Sequence, residues 1–401
     1  MLGLGLSRFV PAAARPALAR SAARLHPHLT SFRARPDMRR LKARPRRAFR
    51  GDKVAVVGFF KSRIGLGRSA DLLARELEAQ GSSVQRIDLT AAIGLPENID
   101  RSDCCGLEIL ADDSITDLVV HMNPPELYRA MRMLDPAWLD SRAVVGCFMW
   151  ELHRAPSWWA PAIDSLDEVW VSSRFVKEAL VDVVPDAASR VCIVRYGVDR
   201  SAWRPASTEE RAAARRLLDL PTTEFVIMTS FAMSSSLARK NPIGAMESFR
   251  AAFVAGEPAR LIVRCVDHHV YADGVAALRD AAATDPRIRL VLEETKNTAV
   301  MPYYQAADAL ITLHRGEGFG LYVAEALAMN IPVVATAWSL NDDFLAHPML
   351  YAVGASQIPI VDPQHMYDIV PGTTWAEPSV DDAAKALRSL YEDRARSRAA
   401  V

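Results

Sequence analysis

Between Phe225 and Ala335 the chain alternates between apolar runs of strand length and stretches with apolar residues at helical spacing. This alternation limits its fold more than any other feature. The strand-like runs are Phe225–Thr229, Arg260–Cys265, Ile288–Leu292, Ala309–Leu313 and Pro332–Ala335, and helical patterns fill Pro242–Phe253, Gly274–Ala283, Val300–Ala306 and the stretch reaching Met329. Strands separated by helix-length crossovers pair in parallel, with helices covering both faces of the sheet. The first half repeats the pattern with Lys53–Phe59, Leu118–His121, Ala143–Phe148, Glu168–Val171 and Val191–Val194, and with a helix over about Ser69–Gln80 that Gly81 can end in a left-handed cap. At 401 residues, half of them hydrophobic, the chain is long for one domain. The expectation is an α/β protein of two doubly wound sheets, each binding ligands at the carboxyl ends of its strands.

The formal net charge of zero conceals a split. Residues 1–50 hold 12 arginines and one lysine against Asp37 alone, so residues 51–401 carry 35 basic and 47 acidic side chains. With five prolines, the first fifty residues read as a disordered basic arm. Such an arm can lie on an anionic membrane surface, each basic group there contributing ~1 kcal/mol. An Arg-rich, acid-poor N-terminus also matches an organelle transit peptide. The acidic body argues against nucleic acid as a partner. Cys104, Cys105, Cys147, Cys192 and Cys265 form no C-x-x-C pair and read as reduced structural thiols, and no apolar run reaches the 18 or so residues of a spanning helix.

Chemistry concentrates in His314-Arg-Gly-Glu-Gly-Phe-Gly-Leu-Tyr-Val-Ala-Glu325, which joins a strand-like run to a helical pattern. Gly316, Gly318 and Gly320 let the backbone turn and approach a ligand, and the N–H groups of the first helical turn, with the helix dipole behind them, favour phosphate. Glu317 in the loop and Glu325 in the second helical turn then read as acceptors for sugar hydroxyls. A nucleotide sugar supplies both groups.

The run resembles the E-x7-E signature of family 4 retaining glycosyltransferases, in the form found among bacterial polysaccharide-biosynthesis enzymes, and the resemblance extends over roughly residues 51–390. It implies the GT-B fold, two Rossmann-like domains facing across a cleft. It also implies transfer of a hexose such as mannose from a nucleotide diphosphate sugar to a glycan or lipid-linked acceptor, with retained configuration, no metal and no other cofactor. The location implied is cytoplasmic, peripheral to the inner membrane face. Tyr196-Gly-Val-Asp199 and Trp203-Arg-Pro205 resemble the family's domain junction, giving an acceptor-side domain over 51–203, a donor domain over 204–375 and, over 376–401, a helix crossing back to the first domain.

The resemblance also assigns roles. Ile64-Gly65-Leu66-Gly67-Arg68 is similar to the glycine loop that approaches the donor phosphate, Arg68 adding a charge-assisted contact. Lys240, in Ser234-Ser-Ser-Leu-Ala-Arg-Lys-Asn-Pro242, matches the lysine that contacts the diphosphate. The family's preceding arginine is Ser235 here, and Arg239 is its substitute. Gly318, Phe319, Gly320 and Leu321 supply amides, Glu325 holds the ribose, and Glu317 grips the sugar, so that Glu317→Ala is expected to abolish transfer with little loss of folding. Glu151 and His121 are acceptor-side candidates, with His153 a further one lacking a motif. Trp158 and Trp159 line a groove or fill the core. His268-His269 and Asp342-Asp343 lack a third ligand at a supporting spacing and are not read as metal sites. A nucleotide-sugar 2-epimerase of the same fold and a non-catalytic nucleotide-sugar-binding protein are the competing readings.

Overall fold

The computed structural model describes residues 38–108, 112–293 and 299–399. Seven strands form the first sheet: β1 (Lys53–Gly58), β2 (Ser83–Asp88), β3 (Cys104–Cys105), β4 (Asp117–Val120), β5 (Ala143–Phe148), β6 (Glu168–Val171) and β7 (Val191–Ile193). Six form the second: β8 (Phe225–Ala232), β9 (Ala259–Val266), β10 (Ile288–Glu293), β11 (Ala309–Thr312), β12 (Val333–Thr336) and β13 (Leu350–Val353). The spatial orders are β3-β2-β1-β4-β5-β6-β7 and β10-β9-β8-β11-β12-β13. Every ladder in both sheets is parallel. Each sheet is thus Rossmann-like and reverses its winding once, between β1 and β4 and between β8 and β11. Ligand crevices open at such reversals, outside the carboxyl ends of the strands.

The central strands are apolar on both faces because helices cover both. Val54, Ala55, Val56 and Val57 of β1 and Leu118, Val119 and Val120 of β4 are buried. Beyond the parallel sheets, β14 (Ala355–Pro359) and β15 (Thr374–Pro378) form an antiparallel pair, which the sequence reading did not contain. The two carboxyl-end rims touch. Just past β6, the Ser172 hydroxyl donates to the Gly318 carbonyl at 2.7 Å, and the Asn341 amide donates to the Ser172 carbonyl at 3.0 Å.

Two expectations about the chain ends are corrected. Residues 1–37 lie outside the described residues, but residues 38–50 are packed onto the first domain. Met38 and Leu41 enter its core, and Phe49 sits edge-on to Trp170 with ring centroids 4.7 Å apart. Acidic groups on the rim below β5 and β6 draw the basic residues in: Arg40 meets Asp140, Lys42 meets Asp164 and Arg44 meets the buried Asp167. The C-terminal helix Val380–Ala399 packs on the second domain instead of crossing to the first. Ala383, Ala384, Leu387 and Leu390 join the core around β8 and β9, Tyr391 packs its ring against Phe225 and Phe253, and Arg388 pairs with Glu257. It is β14–β15 and their connection that reach the first domain, through the buried Trp375 and the partly buried Ile358 and Tyr367.

Candidate active site

The chain after β11 carries the glycine turn expected from the sequence. Gly320 has φ +91° and caps the helix Leu321–Ala328, a backbone shape that a side chain would strain. At Gly316 the constraint is space: a Cβ there would lie 2.3 Å from the Glu151 carbonyl oxygen of the other domain. At Gly318 it would lie 3.3 Å from the Trp150 carbonyl oxygen. The two domains therefore meet backbone to backbone at this turn.

The chain after β8 delivers the cations. Ser236 (φ +66°) and Asn241 (φ +46°), both left-handed, bracket the short helix Leu237–Lys240. Arg239 and Lys240 are adjacent, a spacing that on a helix points side chains about 100° apart. Both nevertheless end on Glu317: Lys240 Nζ lies 2.5 Å from its Oε2, and an Arg239 guanidinium nitrogen lies 3.6 Å from the same oxygen. Arg239 also donates to the Gly316 carbonyl at 2.8 Å and stands 4.0 Å from the Glu151 carboxylate. The Ser339 hydroxyl accepts the Glu317 backbone N–H at 2.7 Å and so fixes the loop.

The electrostatics follow from this enclosure. Burial opposes ionisation of Glu317, but Lys240, Arg239 and His314 outweigh it and hold the carboxyl at about 2. Burial lowers Lys240, with Glu317 opposing that and Arg239 adding to it. Burial also works against the Arg239 charge, yet Tyr367, Glu151, Glu317 and Asp362 keep it cationic. Glu151 moves the other way: burial raises it, Arg239 draws it back, and Glu317 pushes it up again. One anion thus sits between two cations, with a more easily protonated carboxyl across the domain boundary.

Glu325 is fully buried, with Arg68 from the first domain on one oxygen and the Tyr304 hydroxyl on the other at 2.7 Å. Arg68 also lies over the Trp203 ring at 5.6 Å. Gly65 and Gly67 stand inside the helix Gly65–Ala79 and not in a loop before it. A Cβ on Gly67 would come 2.3 Å from the Phe59 carbonyl oxygen, whereas one on Gly65 would meet nothing within 4 Å, so only Gly67 is required by packing. Phe319 stacks on Tyr196 with centroids 5.0 Å apart, joining the turn to the chain after β7.

The structure brings Arg239, Lys240, Glu317, Glu151 and Gly318 to one place, before the helix Leu321–Ala328, and further along that helix pairs Glu325 with Arg68 of the helix Gly65–Ala79. His121 lies elsewhere. It is fully buried, Nε2 meets Ser69 Oγ at 3.1 Å, and burial holds the imidazole at about 4, so no exposed atom is available for an acceptor. His153 packs its ring against Trp338, 6.2 Å away, Trp159 is core, and Trp158 donates to Asp368. Asp342 and Asp343 open a short helix and pair with Arg174 and Arg195 of the first domain. No group of three or more potential metal-binding side chains occurs among the described residues. No helix there is long and apolar enough to cross a membrane. Sequence reasoning read Gly316 as a turn glycine and not as a contact of the other domain, and it missed Ser339 and the residues of the β14–β15 connection, which no motif spacing marks.

Residues 252–393 match the family model described as Glycosyl transferases group 1. D-inositol 3-phosphate glycosyltransferase of Mycobacterium sp. (strain KMS) is 30% identical over 184 residues, 44% of this chain and 38% of the relative. The protein of the same description from Mycobacterium tuberculosis (strain F11) is 27% identical over 178 residues, 44% of this chain and 35% of the relative. The chain thus spans well under half the length of these curated relatives. Among solved structures, a glycosyltransferase from Rickettsia africae superposes with TM-score 0.61 at 13% identity, over 86% of this chain and 89% of that one. Anabaena HepE in complex with UDP and glucose superposes with TM-score 0.57 at 14% identity, over 86% and 90%. The chain therefore has the two-domain GT-B fold, and its residues 252–393 carry a Glycosyl transferases group 1 domain.

Proposed function

We propose that this chain is a metal-independent, retaining glycosyltransferase of the family 4 type that moves a hexose from a nucleotide diphosphate sugar to a glycan or lipid-linked acceptor at the cytoplasmic membrane face. The observation that carries the reading is the convergence of Lys240 and Arg239 on Glu317 at the mouth of the helix Leu321–Ala328. Glu317 and a diphosphate oxygen would compete for the same two cations. Donor binding then exchanges one anion for another: the diphosphate takes Lys240, Arg239 and the first-turn N–H groups that no helical carbonyl can accept. The released Glu317 carboxylate turns to the sugar hydroxyls. Glu325 accepts from the ribose once Arg68 leaves it for phosphate.

Catalysis then rests on fixed positive charge where negative charge grows. The anomeric carbon's bond to the leaving phosphate oxygen breaks and its electron pair stays on the diphosphate. The acceptor oxygen bonds to that carbon from the same face, and its proton passes to the departing phosphate. Glu151, across the boundary from Arg239, orients the acceptor or the donor sugar. The D-inositol 3-phosphate glycosyltransferase relatives and the UDP- and glucose-bound neighbour support a nucleotide-sugar donor. The test is incubation with a panel of nucleotide sugars, with and without acceptor extracts. Acceptor-dependent release of nucleoside diphosphate with a retained linkage is expected. Isomerised donor without acceptor would convert the reading to an epimerase, and intact donor throughout would refute it.

A further inference from the structure

Residues 360–373, connecting β14 to β15, form a strap across the domain boundary beside the Arg239–Glu317 cluster. On the first-domain side, Trp158 Nε1 donates to Asp368 at 2.8 Å, an Arg154 guanidinium nitrogen donates to the Pro371 carbonyl at 3.2 Å, and Tyr367 packs against Trp150 with centroids 5.7 Å apart. On the other side the strap grips the turn that carries the cations. Asp362 Oδ1 accepts from Ser236 Oγ at 2.9 Å, Gln364 Oε1 accepts from the Leu237 N–H at 2.6 Å, and Gln364 Nε2 donates to the Met233 carbonyl at 2.8 Å.

The Ser236 hydroxyl has one proton, and it goes to Asp362. Its lone pairs therefore face the Arg239 N–H, which donates to it at 3.2 Å. Ser236 is buried and left-handed, and Asn241 at the other end of the turn is left-handed as well. A positive φ is disfavoured for a residue with a side chain and persists only where its surroundings impose it. At Ser236 those surroundings are Asp362, itself 7% exposed, and Gln364 on the neighbouring Leu237. The bent turn in turn aims two adjacent side chains at one anion.

We propose that Asp362 and Gln364 are positioning residues for diphosphate binding: they touch neither Lys240 nor the ligand, but set the turn from which Arg239 and Lys240 reach it. The proposal rests on the donor-binding role proposed above. The test measures affinities of the full chain for UDP, GDP and ADP by titration calorimetry, in Asp362→Ala and Gln364→Met. Each substitution should weaken the diphosphate that wild type binds by about tenfold, which is ~1.4 kcal/mol. In a Lys240→Gln background, Asp362→Ala should add less than about twofold, since the pair acts through the same cations. Wild-type affinity in both single variants, or losses that simply multiply in the double variant, would overturn the positioning role. If Asp362→Ala does not fold, Gln364→Met, which alters only the strap's two glutamine bonds, decides alone. A wild-type chain that binds none of the three overturns the donor-site reading together with this one, and is told apart because the wild type itself is then silent.

Discussion

Replacing Glu317 by glutamine should weaken the ligand-free protein while strengthening its response to a diphosphate. The carboxylate sits 2.5 Å from Lys240 and 3.6 Å from Arg239, with 15% of its side chain exposed. Its pKa of about 2, set against an unperturbed value of about 4.3, corresponds to ~3 kcal/mol of stability from the ionised form. For a domain of this size that is roughly 6–12 °C in Tm. Because the folded-state pKa is depressed, this contribution is complete above the unfolded value and is lost as pH falls toward 2. The gap between wild type and Glu317→Gln should therefore be constant from about pH 6 to 8 and narrow below about 4.3. A nucleoside diphosphate must displace Glu317 from Lys240 in the wild type but not in the variant, so added UDP or GDP should raise the variant's Tm by more. Differential scanning fluorimetry reads all three quantities, and transfer activity should be lost. A variant melting within about 1 °C of wild type at pH 7, or one with a smaller diphosphate shift, would refute the anion-exchange argument. The sequence-based expectation was little loss of folding on Glu317→Ala; the two ion pairs, which the sequence does not show, predict a measurable loss instead.

Further outcomes follow from other contacts. Gly316→Ala puts a Cβ 2.3 Å from the Glu151 carbonyl oxygen, so the domains must part locally; overpacking of this kind costs about 1–3 kcal/mol, and kcat/KM should fall with little change in far-UV circular dichroism. The folded-state pKa of Glu151 is raised by burial, so its ionised form costs stability at neutral pH. Glu151→Gln should accordingly raise Tm at pH 8, and the gain should vanish as pH falls below about 4.3. Arg44→Ala removes an ion pair from the buried Asp167 carboxylate, 3% exposed, and leaves it the backbone N–H groups of Arg47 and Val144; it should cost about 1–3 kcal/mol in chemical denaturation, more than Arg40→Ala at an exposed pair.

The parallel sheets were legible in the sequence because strands buried on both faces are continuous apolar runs. Val54–Val57 and Leu118–Val120 could hardly be anything else. Ser83–Asp88 and Leu350–Val353 were missed because they lie toward sheet edges and carry mixed, partly exposed side chains. The glycine turn was readable down to Gly320 because only glycine suits φ +91°. The destinations of residues 38–50 and of the last helix were not readable. Basic residues look the same whether they face water or Asp140, Asp164 and Asp167, and Leu387 and Leu390 show that one helix face is buried without showing against which domain. The full burial of His121 was not readable because a strand end marks the rim of a sheet without showing whether a helix covers it. The strap's hold on Ser236 and Leu237 spans about 126 residues of chain and leaves no local pattern.

The central claim is that Lys240 and Arg239, now held by Glu317, form the seat of a sugar-linked diphosphate. Titration calorimetry of UDP and GDP against wild type and Lys240→Gln tests it most directly. The account predicts saturable binding of at least one diphosphate to the wild type, weakened about tenfold or more in the variant, the loss of one charge-assisted contact. Equal binding by both proteins would contradict it.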